Sequence, residues 1–367
     1  MWSNLPLDLL AAVFSHLPAD ALAAANSTCR TWRAAADCAA ARGGHPPWFL
    51  AVPATRGVSG NRAFVYNPIR LTWHVLPQIN TAPIKAVAAI NCGLVLGKFS
   101  GGSSLKLVVT NPFTGQFKPL PELTVARINP AVGVVDFSDS SSAVPRFKIY
   151  VAGGMSADAR GGGAAYQPTI ESYDSSSHTW ATAATMPAEL AVRLTVWTPH
   201  ESVYSNGTLY WMTSARAYSV MGFETATKKW RELSVPMADL LEYAALVPTA
   251  GGGLGVVGWT SGTATFSCRI WELGDGEEWR AVGKVPFEMA NKVFKNVESW
   301  SAVKCVATKG MVCLYRGFGI GILMKFKDCG EFEWEWIEEC NRKEFENVPI
   351  KGLLLYPNLG RSAFCFR

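Results

Sequence analysis

The chain has 367 residues with a formal net charge of +5, and 49% of its residues are hydrophobic against 17% charged. This composition is typical of a folded protein with a large core, and the length exceeds that of one average domain. The small net charge and the absence of lysine or arginine runs argue against a nucleic acid or a membrane surface as a direct partner.

The chain begins with a short helical segment. Between residues 5 and 33, apolar residues recur at helical spacing around one proline turn, which predicts three short helices. A segment of this size has no room for a core of its own, so its apolar surface is expected to be buried against something else. We therefore interpret residues 1–45 as a docking module.

This module resembles an F-box, the element that binds a Skp-family adaptor in cullin-RING ubiquitin ligases. The resemblance implies that the module binds such an adaptor and, through it, a cullin. It rests on Leu-Pro-x-Asp-Leu-Leu at residues 5–10, Val13-Phe14, Leu17-Pro18 and Cys-Arg-x-Trp-Arg at residues 29–33. The residues that it assigns to the adaptor contact are Leu5, Pro6, Leu9, Leu10, Val13, Phe14, Leu17, Pro18, Leu22, Cys29 and Trp32.

Residues 46–367 form a second, strand-rich region. A pattern recurs along it: an apolar strand, a polar turn, an aromatic residue and, in most copies, a proline. The 14 tryptophans and 33 glycines of the chain also favour short strands and tight turns. Successive aromatic residues are 44, 63, 50, 49 and 55 positions apart. These anchor aromatics are Trp73, Phe117, Trp180, Trp230, Trp279 and either Trp334 or Trp336.

A repeat of about 50 residues with four strand patterns in each unit predicts a six-bladed β-propeller. The units resemble kelch repeats, because residues 149–154 carry the kelch double glycine before the tyrosine-aspartate and tryptophan elements. The whole chain therefore resembles the plant F-box/kelch family, with a small all-α F-box before an all-β propeller. The first unit begins on its second strand at Trp48, so residues 353–356 or 363–366 are expected to supply the missing strand.

Several arginines fall in loops that lie on one face of such a propeller, namely those joining second to third strands and those joining blades. These loops are polar in any case, and the functional interpretation is a basic rim that binds an acidic or phosphorylated target segment. Arg56 belongs to this group. The predicted target-binding residues are Arg127, Arg160, Arg193, Arg216 and Arg316. The docking module is expected on the opposite face.

No catalytic residue, metal site or cofactor is predicted. The Gly-x-Gly-x-x-Gly at residues 253–258 continues into a strand, whereas a dinucleotide site needs a helix after this motif. The five histidines are scattered along the chain, which argues against a metal site. The nine cysteines form no Cys-x-x-Cys pair, and no signal peptide pattern or apolar run of roughly 18 residues occurs. We therefore expect reduced thiols and a cytoplasmic or nuclear location.

The resemblance implies that the chain recruits an unidentified target protein to a Skp–cullin–F-box ubiquitin ligase and performs no chemistry itself. Two alternatives remain open from the sequence. An F-box/kelch protein can act outside a ligase, for example as a transcriptional co-regulator. A propeller oxidase or hydrolase would need histidine, tyrosine, cysteine or carboxylate groups that converge in the central funnel.

Overall fold

The structure is a computed structural model of the chain. Among the described residues, no helix has the length and apolar character needed to cross a lipid bilayer. The described residues are 5–40, 46–54, 62–76, 84–100, 104–137, 145–156, 165–196, 202–215, 217–261, 266–294, 303–317, 320–327, 331–338, 340 and 349–359.

Three helices come first, as the apolar spacing predicts. They are α1 (Leu7–Phe14), α2 (Ala19–Thr28) and α3 (Arg30–Ala40). Pro6 and Pro18 directly precede α1 and α2, where a missing backbone N–H breaks no helical hydrogen bond.

The prediction that the module lacks a core of its own is wrong, because small alanine side chains let the helices approach closely. The module core consists of Leu10, Ala11, Phe14, Leu22, Ala25, Ala35, Ala36 and Ala39.

Six four-stranded sheets follow, and each is one blade of the propeller. The strands of the first three blades are β1 (Trp48–Pro53), β2 (Phe64–Asn67), β3 (Thr72–Val75), β4 (Ile84–Ile90), β5 (Leu94–Phe99), β6 (Leu107–Asn111), β7 (Gln116–Pro119), β9 (Ala131–Asp136), β10 (Phe147–Ala152), β12 (Thr169–Asp174) and β13 (Thr179–Thr185). A two-stranded ribbon of β8 (Arg127–Ile128) and β11 (Met155–Ser156) is added beside blade three.

The last three blades have the same order. Their strands are β14 (Ser202–Ser205), β15 (Thr208–Thr213), β16 (Ser219–Glu224), β17 (Trp230–Ser234), β18 (Tyr243–Pro248), β19 (Leu254–Ser261), β20 (Phe266–Leu273), β21 (Trp279–Lys284), β22 (Val303–Thr308), β23 (Met311–Arg316), β24 (Ile320–Phe326) and β25 (Phe332–Ile337), and β26 (Ile350–Leu355) ends the fold. Two helices that the sequence analysis missed, α4 (Ala188–Val196) and α5 (Phe287–Phe294), connect blades three to four and five to six.

The propeller closes through its last strand. β26 pairs antiparallel with β1 from Trp48 opposite Leu355 to Pro53 opposite Ile350, and it completes blade one as the innermost strand. The six innermost strands, β26, β4, β9, β14, β18 and β22, then contact one another in a ring. The first of the two predicted closing segments is therefore the closing strand, and residues 363–366 lie outside the described residues.

In four of the six blades, the recurring tryptophan joins its blade to the one before it. Its indole N–H donates a hydrogen bond to a backbone carbonyl at or just beyond the end of the preceding blade's outermost strand. This bond satisfies the polar N–H group while the rest of the ring packs against apolar neighbours. The pairs are Trp73 to Glu338 (3.0 Å), Trp180 to Pro121 (2.9 Å), Trp230 to Thr185 (3.2 Å) and Trp279 to Ser234 (2.7 Å).

Blade six departs from the predicted anchor. Phe332 lies opposite Phe326, in the position that Trp230 takes opposite Phe223 in blade four. Trp334 and Trp336 are further along β25, so the assignment of either as the anchor is wrong.

The Gly-x-Gly-x-x-Gly motif is part of a strand, as predicted. Residues 254–258 lie within β19, between β18 and β20. A Cβ on Gly258 would lie 2.8 Å from side-chain atoms of both Leu241 and Trp271, so the glycine permits close packing.

Two faces of the disc differ in their loops. One face carries the loops between second and third strands and the connections between blades, and we call it the connection face. The turn face carries the tight turns, including residues 91–93 between β4 and β5 and 68–71 between β2 and β3.

The helical module lies against the turn face. Ala19 packs into the cluster between blades one and two, beside Trp48 and Leu355. Asp20 Oδ2 lies 2.9 Å from Arg70 Nε in the turn of blade one. In return, Leu359 packs against the module core. The module therefore leaves the connection face uncovered, as the strand count predicts.

We expect a chain that ends at Pro349 to aggregate, because loss of β26 leaves β1 as an open sheet edge and opens the ring. A chain that ends at Leu359 retains every described contact and is the matched control. Size-exclusion chromatography and thermal unfolding compare the two. A monomeric Pro349 chain with the unfolding midpoint of the control would contradict closure by β26.

Candidate protein-interaction surfaces

The outer side of α1 presents apolar side chains to solvent. Leu9 is 53% exposed and Val13 43% exposed, and their spacing of four residues puts them on one side of the helix. Leu7, which the sequence analysis omitted although it opens the helix, is 44% exposed. Pro6 and Cys29 are also exposed, whereas Leu5, Leu17, Pro18 and Trp32 are half-buried.

Three of the residues assigned to the adaptor contact lie inside the module instead. Leu10, Phe14 and Leu22 are all buried in the module core, where the Trp32 ring packs edge-on to Phe14 at 5.2 Å between centroids. The assignment of these three to direct contact is corrected, because their side chains offer no accessible surface. They determine the shape of the module, and Leu9 and Val13 carry its exposed apolar surface.

On the connection face, Arg127 is completely buried and is not part of an exposed rim. Its Nη2 lies 2.6 Å from Glu171 Oε1, and the guanidinium also donates to Gly153 O at 3.0 Å and to Thr169 O at 2.7 Å. Every one of these acceptors belongs to blade three. The prediction that Arg127 binds a target is therefore wrong, because its hydrogen bonds are committed within the protein.

Glu171 extends this contact to blade two. Its carboxylate accepts hydrogen bonds from the backbone N–H groups of Thr124 at 2.8 Å and Val125 at 3.3 Å. Gly153 and Gly154, the kelch double glycine, have φ angles of 65° and 92°, which an L side chain rarely adopts. The glycines, Arg127 and Glu171 together hold the connection between blades two and three.

Arg193 lies on the connection face, in the connection between blades three and four as predicted, and this connection forms α4. Its guanidinium is paired with Glu232 at 2.8 Å and donates to Ser219 Oγ at 2.5 Å. The Arg193 guanidinium holds the pKa of the Glu232 carboxyl below its usual range. This arginine is therefore a neutralised, half-buried group rather than an unpaired charge.

The remaining predicted rim residues stay predictions. Arg316 ends β23 on the connection face and is half-buried. Arg56, Arg160 and Arg216 lie outside the described residues.

The connection face also carries an apolar feature that was not predicted from the sequence. The connections after blades three, four and five each carry an exposed large apolar side chain, in two cases directly after the proline of the repeat. Groups of such residues on a soluble protein mark sites of protein contact. They are Val196 (51% exposed), Met237 (38%), Leu240 (63%) and Phe287 (56%).

In the described part of the chain, no group of three or more histidine, cysteine, aspartate or glutamate residues could hold a metal ion. Cys268 and Cys313 are buried thiols, and burial raises the pKa of Cys268 to about 12 and that of Cys313 further. Thiols of this kind are inert packing groups at neutral pH.

Two family models match the chain. Residues 2–40 match the F-box-like model, and residues 137–187, which include most of blade three, match the Kelch motif model. The chain thus carries an F-box-like segment and a Kelch motif, the two parts of an F-box/kelch-repeat protein.

The chain is similar to several curated plant proteins. F-box only protein 6 of Arabidopsis thaliana is 26% identical over 78% of this chain and 59% of its own length. Protein ABERRANT PANICLE ORGANIZATION 1 of Oryza sativa subsp. japonica is 26% identical over 72% of this chain and 64% of its own length. An F-box/kelch-repeat protein of Arabidopsis thaliana is 23% identical over 93% and 83%. The chain thus spans about three fifths of the first two relatives.

We expect Arg127→Met to lower the free energy of unfolding by about 3–5 kcal/mol, because it leaves the Glu171 carboxylate buried without its cation. Glu122→Gln, which removes the exposed ion pair with Lys106, is the control and should leave stability unchanged. Urea unfolding of both variants measures the difference. Equal stability of the two variants would show that the buried pair does not hold the connection.

Proposed function

We propose that this protein acts as an F-box/kelch-repeat protein and recruits a target protein to a Skp–cullin–F-box ubiquitin ligase. In this proposal, the exposed side of α1 binds a Skp-type adaptor and the connection face of the propeller binds the target. The F-box-like match and the F-box relatives support a role as a substrate adaptor. In this proposal, the chain contributes binding surfaces and the other subunits of the ligase carry out the chemistry.

The observation that carries the proposal is the position of the two surfaces. The module is attached to the turn face by the Ala19 packing, the Asp20–Arg70 ion pair and the Leu359 contact. The connection face lies on the other side of the disc. A receptor needs this arrangement, because it must hold a target while its other end is bound to the ligase.

The apolar residues of the connection face support a protein as the target. Protein interfaces combine apolar and aromatic side chains at their centre with a polar rim. Leu240 and Phe287 provide the apolar component, and the paired Arg193 and Glu232 provide polar groups on the same face.

We expect Leu9→Ala combined with Val13→Ala to abolish co-purification with a plant Skp adaptor. Two anchors at the centre of an interface typically contribute about 2 kcal/mol or more each. Both side chains are exposed, so the unfolding midpoint should stay within error of the wild type. Phe14→Ala should instead lower the midpoint, because Phe14 belongs to the module core.

Val196→Ala combined with Leu240→Ala is the matched control on the connection face. This variant should bind the adaptor as the wild type does and should lose target capture. Targets are captured with a chain whose F-box is mutated, so that they are not degraded, and are then tested for ubiquitination in the reconstituted complex. If the Leu9/Val13 variant co-purifies with as much adaptor as the wild type does, the proposed F-box contact is wrong. If the captured partners are never ubiquitinated, the protein acts outside a ligase.

A further inference from the structure

Two lysines face each other on the inner strands of blade two. Lys85 in β4 and Lys98 in β5 are direct partners in the antiparallel register. This geometry brings their Cβ atoms to about 5 Å from each other on one side of the sheet. Lys85 is exposed and Lys98 is half-buried. Both lie at the connection face, because β4 begins there and β5 ends there.

The two ammonium groups have no counterion in the described part of the chain. None of the ion pairs between described residues includes either lysine. The neighbouring segments 77–83 and 101–103 contain no aspartate or glutamate. Like charges directly opposite each other destabilise a sheet. Burial, together with the charge of Lys85, lowers the pKa of Lys98, which is the direction expected of a cation without a partner.

The lysine pair lies on the side of blade two that packs against blade three. Lys98 follows Leu94 and Leu96 on alternate positions of β5, and both leucines belong to the cluster between blades two and three. In the same region, the Arg127–Glu171 pair is internally neutral. Among the described residues, the two lysines therefore give this part of the connection face a positive charge that no ion pair compensates.

We propose that Lys85 and Lys98 form an anion-binding site that takes a carboxylate or phosphate group of the target protein. One anion bound between the ammonium groups accepts hydrogen bonds from both and relieves their repulsion. This site lies beside blade three on the face where the proposed function has the target bind, and it rests on that function. It supplies the cationic contact that the buried Arg127 and the paired Arg193 do not.

The test measures the binding of labelled peptides to the full chain by fluorescence anisotropy at constant ionic strength. The probes are a peptide of consecutive glutamates, a serine peptide that carries phosphoserine, and the same serine peptide without phosphate. The test variant is Lys85→Gln with Lys98→Gln. The control is Lys228→Gln with Lys309→Gln, which removes two charges in turns β16–β17 and β22–β23 on the turn face.

We expect the wild type to bind at least one anionic peptide and not the neutral one. The Lys85/Lys98 variant should bind it at least about tenfold more weakly, because each ammonium contributes a charge-assisted hydrogen bond. The Lys228/Lys309 control should bind like the wild type. The anionic peptide that binds identifies the source of the group. The unfolding midpoint of the Lys85/Lys98 variant should be no lower than that of the wild type, because a repulsion is removed.

The proposal is overturned if the wild type binds neither anionic peptide, or if the two variants lose binding equally, which would indicate net charge rather than a site. Adaptor co-purification is measured on the same preparations. A chain that binds the adaptor but no anionic peptide refutes only the anion site. A wild-type chain that fails to bind the adaptor refutes the proposed function, whatever the peptides do.

Discussion

The pairing of β26 with β1 is the constraint on which the rest of the structure depends. A propeller blade packs its two sides against its neighbours, so no blade is stable as an open end. Six backbone-paired positions between β26 and β1 turn a linear series of sheets into a ring. The same strand then leads into Leu359, which packs against the helical module. Ring closure and the attachment of the module thus use one stretch of chain.

The repeats are held together by different means around the ring. Four blades use a tryptophan whose indole N–H bonds to the preceding blade, whereas blade two carries Phe117, which has no such donor. The junction between blades two and three contains both the Trp180 hydrogen bond to Pro121 and the Arg127–Glu171 pair with its backbone contacts to Thr124 and Val125. A buried ion pair is stabilising only when further hydrogen bonds satisfy its groups. Here the Glu171 carboxylate accepts two backbone hydrogen bonds and the Arg127 Nη atoms donate to Gly153 and Thr169, while Arg127 Nε is buried without a partner.

The two faces of the disc separate two kinds of contact. The turn face holds the module through Ala19, Asp20 and Leu359, and the exposed Leu9 and Val13 belong to the module. The connection face combines exposed apolar side chains after blades three to five with the lysine pair of blade two. Residues of the module pack against residues of the propeller, so the two parts have a fixed relative orientation. A partner bound to the module would therefore be held in a defined orientation to a partner bound to the connection face.

The sequence by itself determined the order of the architecture. Three helices and six four-stranded repeats followed from apolar spacing and recurring aromatics, because helical and strand periods are local properties of the chain. It also identified α1 as the source of apolar contacts. Only the tertiary structure separated exposed Leu9 from buried Phe14, and it showed Arg127 bound to Glu171, 44 positions away in the chain. Burial and ion pairing depend on which distant residues the fold brings together, and that information is absent from spacing along the chain.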